Sequence, residues 1–581
     1  MKTELVALNS KFVHTSLALR YISSYARERG LEVEIAEYTI NNRPEKIVAS
    51  LFEKKADVYG FSLYIFNRKE TLSVIRDLKK VAEKAIIFCG GPEASEDGKR
   101  LLAEYPEIDF IIRGEGERAD FEFLTLVEKC DKDIEKIKRN NPKNVSFFLN
   151  GEYVETQKLP LIENLDTIPF PYKKEELAEL KNRILYYESS RGCPFSCSYC
   201  MSSLDKKVRT FSKERVFSDI SAFIEAEVSI VKFVDRTFNF NKKRALDILS
   251  YIMLQDKGKT EFHFEISLWL VSREITKLLQ NARKGLFRFE IGIQTANKKT
   301  LRAINREKDV FDFVDIFKEL RKTNVHIHTD LIAGLPYEDY ESFLTSLDKA
   351  YLLGGDVLQL GFLKILKGAP IESRKEFGII AQSEPPYEIM KNKWISYEEI
   401  IRLKKAEEIL EIFYNSGLTK TAFDYSVKNI FNESVSSLLL YLSSESDKTN
   451  FFDLPKKPRE LFAFFSKEIL SLCEKKDAEA FSDALTYDYF AADLYTGEEN
   501  FLSASPDYET AKKLLDFPEE IAEKLPMNKK EKFLSTEAKK WRRKIKVVFF
   551  KSKKNPVVFF HMPELVIFEI DEKFLKKISK T

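Results

Sequence analysis

No stretch of this sequence approaches the run of about eighteen consecutive apolar residues that a membrane-spanning helix needs, which argues against a transmembrane role. Charge of one sign is missing too. Lys and Arg number 94 and Asp and Glu 92, so no global field draws the 581-residue chain to nucleic acid or an anionic membrane. The opening MKTELVALNS lacks the basic, apolar and small-residue succession of a signal peptide, which points to an intracellular, cytoplasmic protein. Six cysteines are too few for a disulfide framework in so long a chain, and neither a fixed-period repeat nor a phosphate-loop signature is visible. What is there is a folding composition, 44% hydrophobic and 13% aromatic, in a chain long enough for several domains.

Residues 1–130 alternate short β-rich runs (TELVAL, LEVEIAEY, DVYGFSL, AIIFCGG, DFIIRGEGE) with amphipathic stretches, which predicts a doubly wound parallel sheet of α/β class. Ligands of such sheets lie beyond the carboxyl ends of the strands. Here those ends read Ser62-Leu63-Tyr64, Gly90-Gly91-Pro92 and Arg113-Gly114-Glu115-Gly116-Glu117. The competing reading is that these glycines only make tight turns. Residues 139–180 contain PLIENLDTIPFPY, whose prolines suit an extended linker. From Ile184 six further strand-like runs with intervening helices predict a partial (β/α)6 barrel over 181–375. Beyond it, 376–581 reads as a mostly helical domain with a small β-hairpin at KVVFFKSKKNPVVFF.

Three cysteines crowd into SSRGCPFSCSYCMSS, immediately after the first barrel strand. Thiolates of Cys193, Cys197 and Cys200 on one loop can hold three corners of a [4Fe–4S] cubane and leave one iron open. Structural zinc normally takes four protein ligands, and no histidine lies near to complete the set; a zinc or redox site is the competing reading. Cys89, Cys130 and Cys473 stand alone in apolar surroundings and read as buried packing residues.

The C-x3-C-x2-C spacing with Tyr199 before the last cysteine resembles the cluster motif of the radical S-adenosylmethionine (SAM) superfamily. The resemblance implies that SAM chelates the open iron and is cleaved to a 5′-deoxyadenosyl radical. It further implies cofactor contacts at Tyr199, at Glu265 ending FHFEIS, at Gln294 and Arg306 in FEIGIQTANKKTLRAINRE, and at Asp330 and Gly334-Leu335-Pro336 in HTDLIAGLPYED. The usual Gly-Gly-Glu after the second strand is missing; FVDRTFNFN stands there, with Asp235 as the substitute. Glu265, Glu290 and Asp330 have the alternative of being buried carboxylates satisfied by backbone donors.

A doubly wound domain, a proline-rich linker and this barrel together are similar to the cobalamin-dependent branch of that superfamily. The resemblance implies a Rossmann-like cobalamin-binding domain over 1–138, with Ser62, Leu63, Tyr64, Gly90, Gly91, Pro92, Gly114 and Glu115 around the corrin and Gly90-Gly91 making room for its nucleotide tail. The D-x-H-x-x-G sequence that supplies a cobalt-ligating histidine elsewhere is absent, so no histidine is expected below the cobalt. His14, at the start of the first helix, reads as packing or capping, and His326 and His328 as substrate-orienting groups, as an acid/base, or as satisfied core residues. The activity implied is methylation of an unactivated carbon of a small metabolite, peptide or RNA. Rearrangement or cyclisation without methyl transfer is the alternative, and a cobalamin or redox sensor a further one. A reductant such as flavodoxin or ferredoxin is implied as partner. Lys539–Lys554 offers cations and aromatic rings that suit RNA; a lysine-guarded strand edge is the favoured reading. The acidic-aromatic stretch 483–494 reads as core.

Overall fold

The computed structural model describes residues 1–306, 308–497, 499–536, 538–541, 544–562 and 565–579. Compactness divides the chain into one unit of Met1–Ser346, Leu353–Asp356 and Leu360–Ile400, and a second of Leu347–Leu352, Val357–Gln359 and Ile401–Thr581.

The first unit opens with β1 (Thr3–Asn9), α1 (Leu17–Glu28), β2 (Val33–Thr39), β3 (Val58–Ser62), β4 (Ile86–Gly90) and β5 (Phe110–Ile112), the strands paired in parallel in the order β2-β1-β3-β4-β5. Successive side chains alternate between two cores: Val6, Leu8 and Phe61 enter one, Leu5, Ala7 and Phe88 the other. Both faces are therefore covered, as a doubly wound sheet requires. Gly60 on β3 is needed for packing, since a Cβ there would stand 2.3 Å from the Phe88 ring.

The expected linker over 139–180 is only partly a linker. β6 (Val145–Leu149) pairs antiparallel with β5, and β7 (Glu152–Glu155) antiparallel with β6, extending the sheet by a hairpin. Asn150 and Gly151 join them with φ of 53° and 83°, the left-handed pair that a tight hairpin turn demands.

Next comes β8 (Ile184–Tyr187), then β9 (Ser190–Arg191) and β10 (Arg209–Thr210), which form a two-stranded antiparallel ribbon. The strands β11 (Ile230–Phe233), β12 (Glu261–Ile266), β13 (Phe287–Gln294), β14 (His326–Ala333) and β15 (Val357–Phe362) continue from β8 in sequence order, giving the six strands of the partial barrel. Alternation again decides the faces. Phe287, Phe289 and Ile291 are buried on one side of β13, whereas Arg288, Glu290 and Gln294 line the more open side beside His326, His328 and Asp330 of β14. A short antiparallel pair, β16 (Ile380–Ala381) and β17 (Ile389–Lys391), ends this unit.

The second unit contains the helices Lys420–Asn429, Val435–Lys448, Pro458–Leu470 and Lys475–Ala491. It closes on β18 (Ile545–Val548), β19 (Val557–His561) and β20 (Leu565–Glu569), an antiparallel sheet of three strands where a hairpin of two is expected. Phe481, Leu485, Tyr489 and Phe490 of the acidic-aromatic helix are buried, so that stretch is core. In the basic segment 539–554, β18 is a sheet edge, and Lys546 is buried against Asp493. Trp541 and Phe550 are buried too, leaving Phe549 as the exposed ring; Arg542 and Arg543 lie outside the described residues. That is a guarded edge rather than a row of stacking platforms. Among the lone cysteines Cys89 and Cys130 are buried, but Cys473 is partly exposed. Among the described residues no helix is long and apolar enough to cross a membrane.

Candidate functional site

The cysteine loop is bracketed by the β9–β10 ribbon. Gly192 takes φ +92° as the chain enters it, and a Cβ there would meet the Lys207 carbonyl at 2.5 Å. Inside the loop Cys193 N–H donates to the Asp205 carbonyl at 2.9 Å, Ser198 N–H to Ile304, and Ile371 N–H to Ser198. Cys193 is buried, with Sγ 3.6 Å from Thr237 Oγ1, while Cys197 and Cys200 are partly exposed. Burial pushes the Cys197 thiol up and the Arg306 guanidinium opposes it. Among the described residues no three His, Cys, Asp or Glu side chains converge on a single ion. A cubane takes one thiolate at each of its irons, so separated thiols on one pinned loop fit it, and they do not fit zinc.

Arg306 and Gln294 meet beside this loop. A register shift between Gly292 and Gln294 bulges β13, Gln294 has φ +70°, and its buried Oε1 has no partner among the described residues. Arg306 Nη2 donates to the Gly292 carbonyl, and its guanidinium lies 5.3 Å from the Trp269 ring centroid. Tyr199 is partly buried next to Cys200, and desolvation raises its phenol. Asp330 stands opposite Gly292 in the strand register, and Glu265 opposite Glu290. Glu290 is held by Lys232 at 2.7 Å, so its carboxylate has a partner. Neither Asp330 nor Glu265 is paired with a described side chain. Burial, with Glu290 and Glu265 adding to it, pushes the Asp330 carboxyl up to about 7, and burial raises Glu265 as well.

Two expected contacts read differently in the structure. Asp235 accepts from Ser189 N, Ser189 Oγ and Ser190 Oγ at 2.8, 2.7 and 2.5 Å, so it organises the turn before the cysteines rather than standing free for a ligand. Gly334 has φ +86° and no room for a Cβ, which would meet Ile389 at 2.8 Å; Leu335 and Pro336 are buried beside it. Packing under β17 accounts for that glycine. His328 is partly buried, its Nε2 without a partner among the described residues, and burial, Arg288 and His326 push it down to about 4; His326 lies 3.7 Å from Asp356.

A cavity of about 470 Å³ lies at the carboxyl ends of β1, β3 and β5, with Tyr186 of β8 in its wall. Ser62, Tyr64, Gly114 and Glu115 line it; Leu63, Gly90, Gly91 and Pro92 do not. Leu63 and Gly90 are bonded to one another, and a Cβ on Gly91 would meet the Leu63 carbonyl at 2.6 Å, so this glycine serves the turn. Glu115 is committed to Arg209 at 2.6 Å. Burial would raise its carboxyl, but Arg209 and Arg191 outweigh that and hold it low. The structure also relocates His14. It lies two residues before Ser16, the N-cap position of α1, and instead of capping the helix it lines the cavity, with Nδ1 2.8 Å from Tyr186 Oη. Tyr21, which helical spacing presents as ordinary core, also reaches the cavity, and its buried hydroxyl has no partner among the described residues. Unpartnered polar atoms at Tyr21 and Gln294 suit bound cofactors that would satisfy them.

Comparison with known proteins agrees with this arrangement. Residues 3–124 match the B12 binding domain, 187–350 the Radical SAM superfamily, and 375–568 a family described as "Protein of unknown function (DUF4080)". Over 356 residues the chain is 28% identical to "Uncharacterized methyltransferase PH0819" of Pyrococcus horikoshii, covering 59% of this chain and 74% of that protein. It is 26% identical over 325 residues to the anaerobic magnesium-protoporphyrin IX monomethyl ester cyclase of Cereibacter sphaeroides, covering 54% of this chain and about half, 51%, of that one. The solved structure of OxsB, a cobalamin-dependent SAM radical enzyme with aqua-cobalamin and SAM bound, superposes with a TM-score of 0.62 at 16% identity, covering 86% of this chain and 82% of that one. A B12 binding domain joined to a cysteine-bearing radical SAM barrel is the domain pairing of the cobalamin-dependent radical SAM enzymes, whose cofactors are cobalamin, a [4Fe–4S] cluster and SAM, and the chain carries both domains.

Proposed function

We propose that the protein methylates an unactivated carbon of its substrate. The observation that carries this reading is the presence, on one strand, of both halves of the required machinery: the cysteine loop follows β8, and Tyr186 of β8 walls the cavity at the ends of β1, β3 and β5. When bound, SAM supplies methyl groups and a hydrogen-abstracting deoxyadenosyl radical, and cobalamin carries the methyl group. The chain's own residues bind and orient. Cys193, Cys197 and Cys200 would hold three irons. Arg306 would take the SAM carboxylate with charge-assisted hydrogen bonds, Gln294 Oε1 would accept from its polar groups, and Asp330, with Glu265 beside it, would meet the ribose hydroxyls. Ser62, Tyr64 and Gly114 would contact the corrin. The likeness to a protein named as a methyltransferase supports the reading.

Cyclisation without methyl transfer is the second reading, favoured by the likeness to the magnesium-protoporphyrin ester cyclase. Both need a one-electron donor of the flavodoxin or ferredoxin class. Anaerobic reconstitution with iron, sulfide and hydroxocobalamin, reduction, addition of SAM and mass spectrometry of the products separate them. Deoxyadenosine with S-adenosylhomocysteine and methylcobalamin is expected. Deoxyadenosine with cobalamin that stays unmethylated as substrate turns over would replace methylation by the second reading.

A further inference from the structure

His14 is a cavity side chain that the proposed function does not use. Its loop, between β1 and α1, is tied down on both sides. Asn9 Nδ2 donates to the His14 carbonyl at 3.1 Å, and Arg183 donates to the same oxygen. Ile184 N–H donates to Val13 at 2.7 Å, Thr15 Oγ1 donates to Ile184 at 3.0 Å, and Glu37 accepts from Ser16 N–H. The imidazole itself is engaged through Nδ1 alone, by Tyr186 Oη at 2.8 Å, with the two rings stacked at 6.0 Å. Among the described residues Nε2 has no partner, and the ring forms part of the cavity wall.

A histidine whose one nitrogen is oriented by an oxygen while the other is left open is the arrangement that metal-ligating imidazoles use, because the hydrogen bond fixes both tautomer and ring orientation. We propose that His14 is the protein's nitrogen ligand to the cobalt of bound cobalamin, through Nε2, with Tyr186 as the positioning residue that accepts from Nδ1–H. The proposal rests on the assignment of the cavity to cobalamin and reverses the expectation, drawn from the missing D-x-H-x-x-G, that no histidine serves this role. Burial, together with Lys11, Lys232 and Arg183, lowers the His14 pKa and so favours the neutral ring that ligation requires.

The test uses the full chain labelled with [15N]histidine, loaded anaerobically with hydroxocobalamin and reduced to cob(II)alamin for electron paramagnetic resonance. Ligation by a histidine nitrogen turns the superhyperfine triplet of unlabelled protein into a doublet. The chain has five histidines, and His14→Gln, or His14→Asn should the first variant not fold, assigns the signal: the doublet disappears while cobalamin stays bound. A triplet that persists in labelled protein identifies the cofactor's own base as ligand and overturns the proposal. So does an unsplit spectrum in the wild type, or a doublet that survives in the variant. If the wild type takes up no hydroxocobalamin at all, the cobalamin reading of the cavity fails first, and the two failures are thereby distinguished.

Discussion

Arg306 stands between two parts of the barrel that the chain brings together over more than a hundred residues, its Nη1 4.0 Å from Cys197 Sγ and its Nη2 on the Gly292 carbonyl. The same guanidinium therefore faces the cysteine loop and the bulged end of β13. Replacing its planar fork by the single ammonium of Arg306→Lys should weaken SAM binding about tenfold or more, since a charge-assisted bidentate contact contributes on the order of 1.5–3 kcal/mol. Cluster absorbance should persist. Calorimetric titration of the reconstituted protein with SAM checks both, and unchanged affinity would remove Arg306 from the site.

Cys197→Ala should abolish the cluster's absorbance and SAM cleavage while leaving cobalamin bound, because its thiol belongs to the barrel loop and the cavity is built from other strand ends. Retained cleavage would sink the cluster assignment.

Gly91→Ala tests why that glycine is there. Its φ of +98° and the 2.6 Å approach of the Leu63 carbonyl predict a loss of about 1–3 kcal/mol in the stability of the sheet domain. Cobalamin uptake per folded molecule should be preserved. Thermal unfolding followed by circular dichroism, alongside cobalamin absorbance, reads the two effects separately; an unchanged melting temperature with lost cobalamin would return Gly91 to the binding surface.

Asp330 predicts a pH signature. Burial, with Glu290 and Glu265, raises its folded pKa to about 7, above the ordinary carboxylate value. A raised pKa means that the folded state binds the proton more tightly, so the contribution to stability is fully present below about pH 4 and is lost as pH rises through 7. Asp330→Asn should therefore leave the cofactor-free protein's stability unchanged near pH 4 and raise it at pH 8. Denaturation curves at the two pH values decide, and equal stability at pH 8 would mean that the carboxyl is not held in this unfavourable environment.

What was legible in the sequence is what local spacing encodes. Strand alternation over 1–130 and from Ile184 onward gave away both parallel sheets, and C-x3-C-x2-C with Tyr199 marked the loop that the proposed cluster would occupy. The hairpin at 145–155 has a local signal as well, Asn150-Gly151 between apolar runs, but it is a short one beside the prolines that follow.

The remaining features depend on partners that lie far away in the chain. Asp235 is explained by Ser189 and Ser190, Gly334 by Ile389, and Glu115 by Arg209. His14 is the clearest case. On its own it is a histidine near a helix start; only the docking of its loop on Ile184 and Tyr186 turns one nitrogen toward Tyr186 Oη and leaves the other without a partner. By itself the sequence determined the fold class and set three cysteines on one short loop, because the periodicity of buried residues and the spacing within a loop are local properties. Tertiary structure alone decided which polar groups are already satisfied and which stand open in a cavity, because hydrogen-bond saturation is set by neighbours that the chain supplies from other strands.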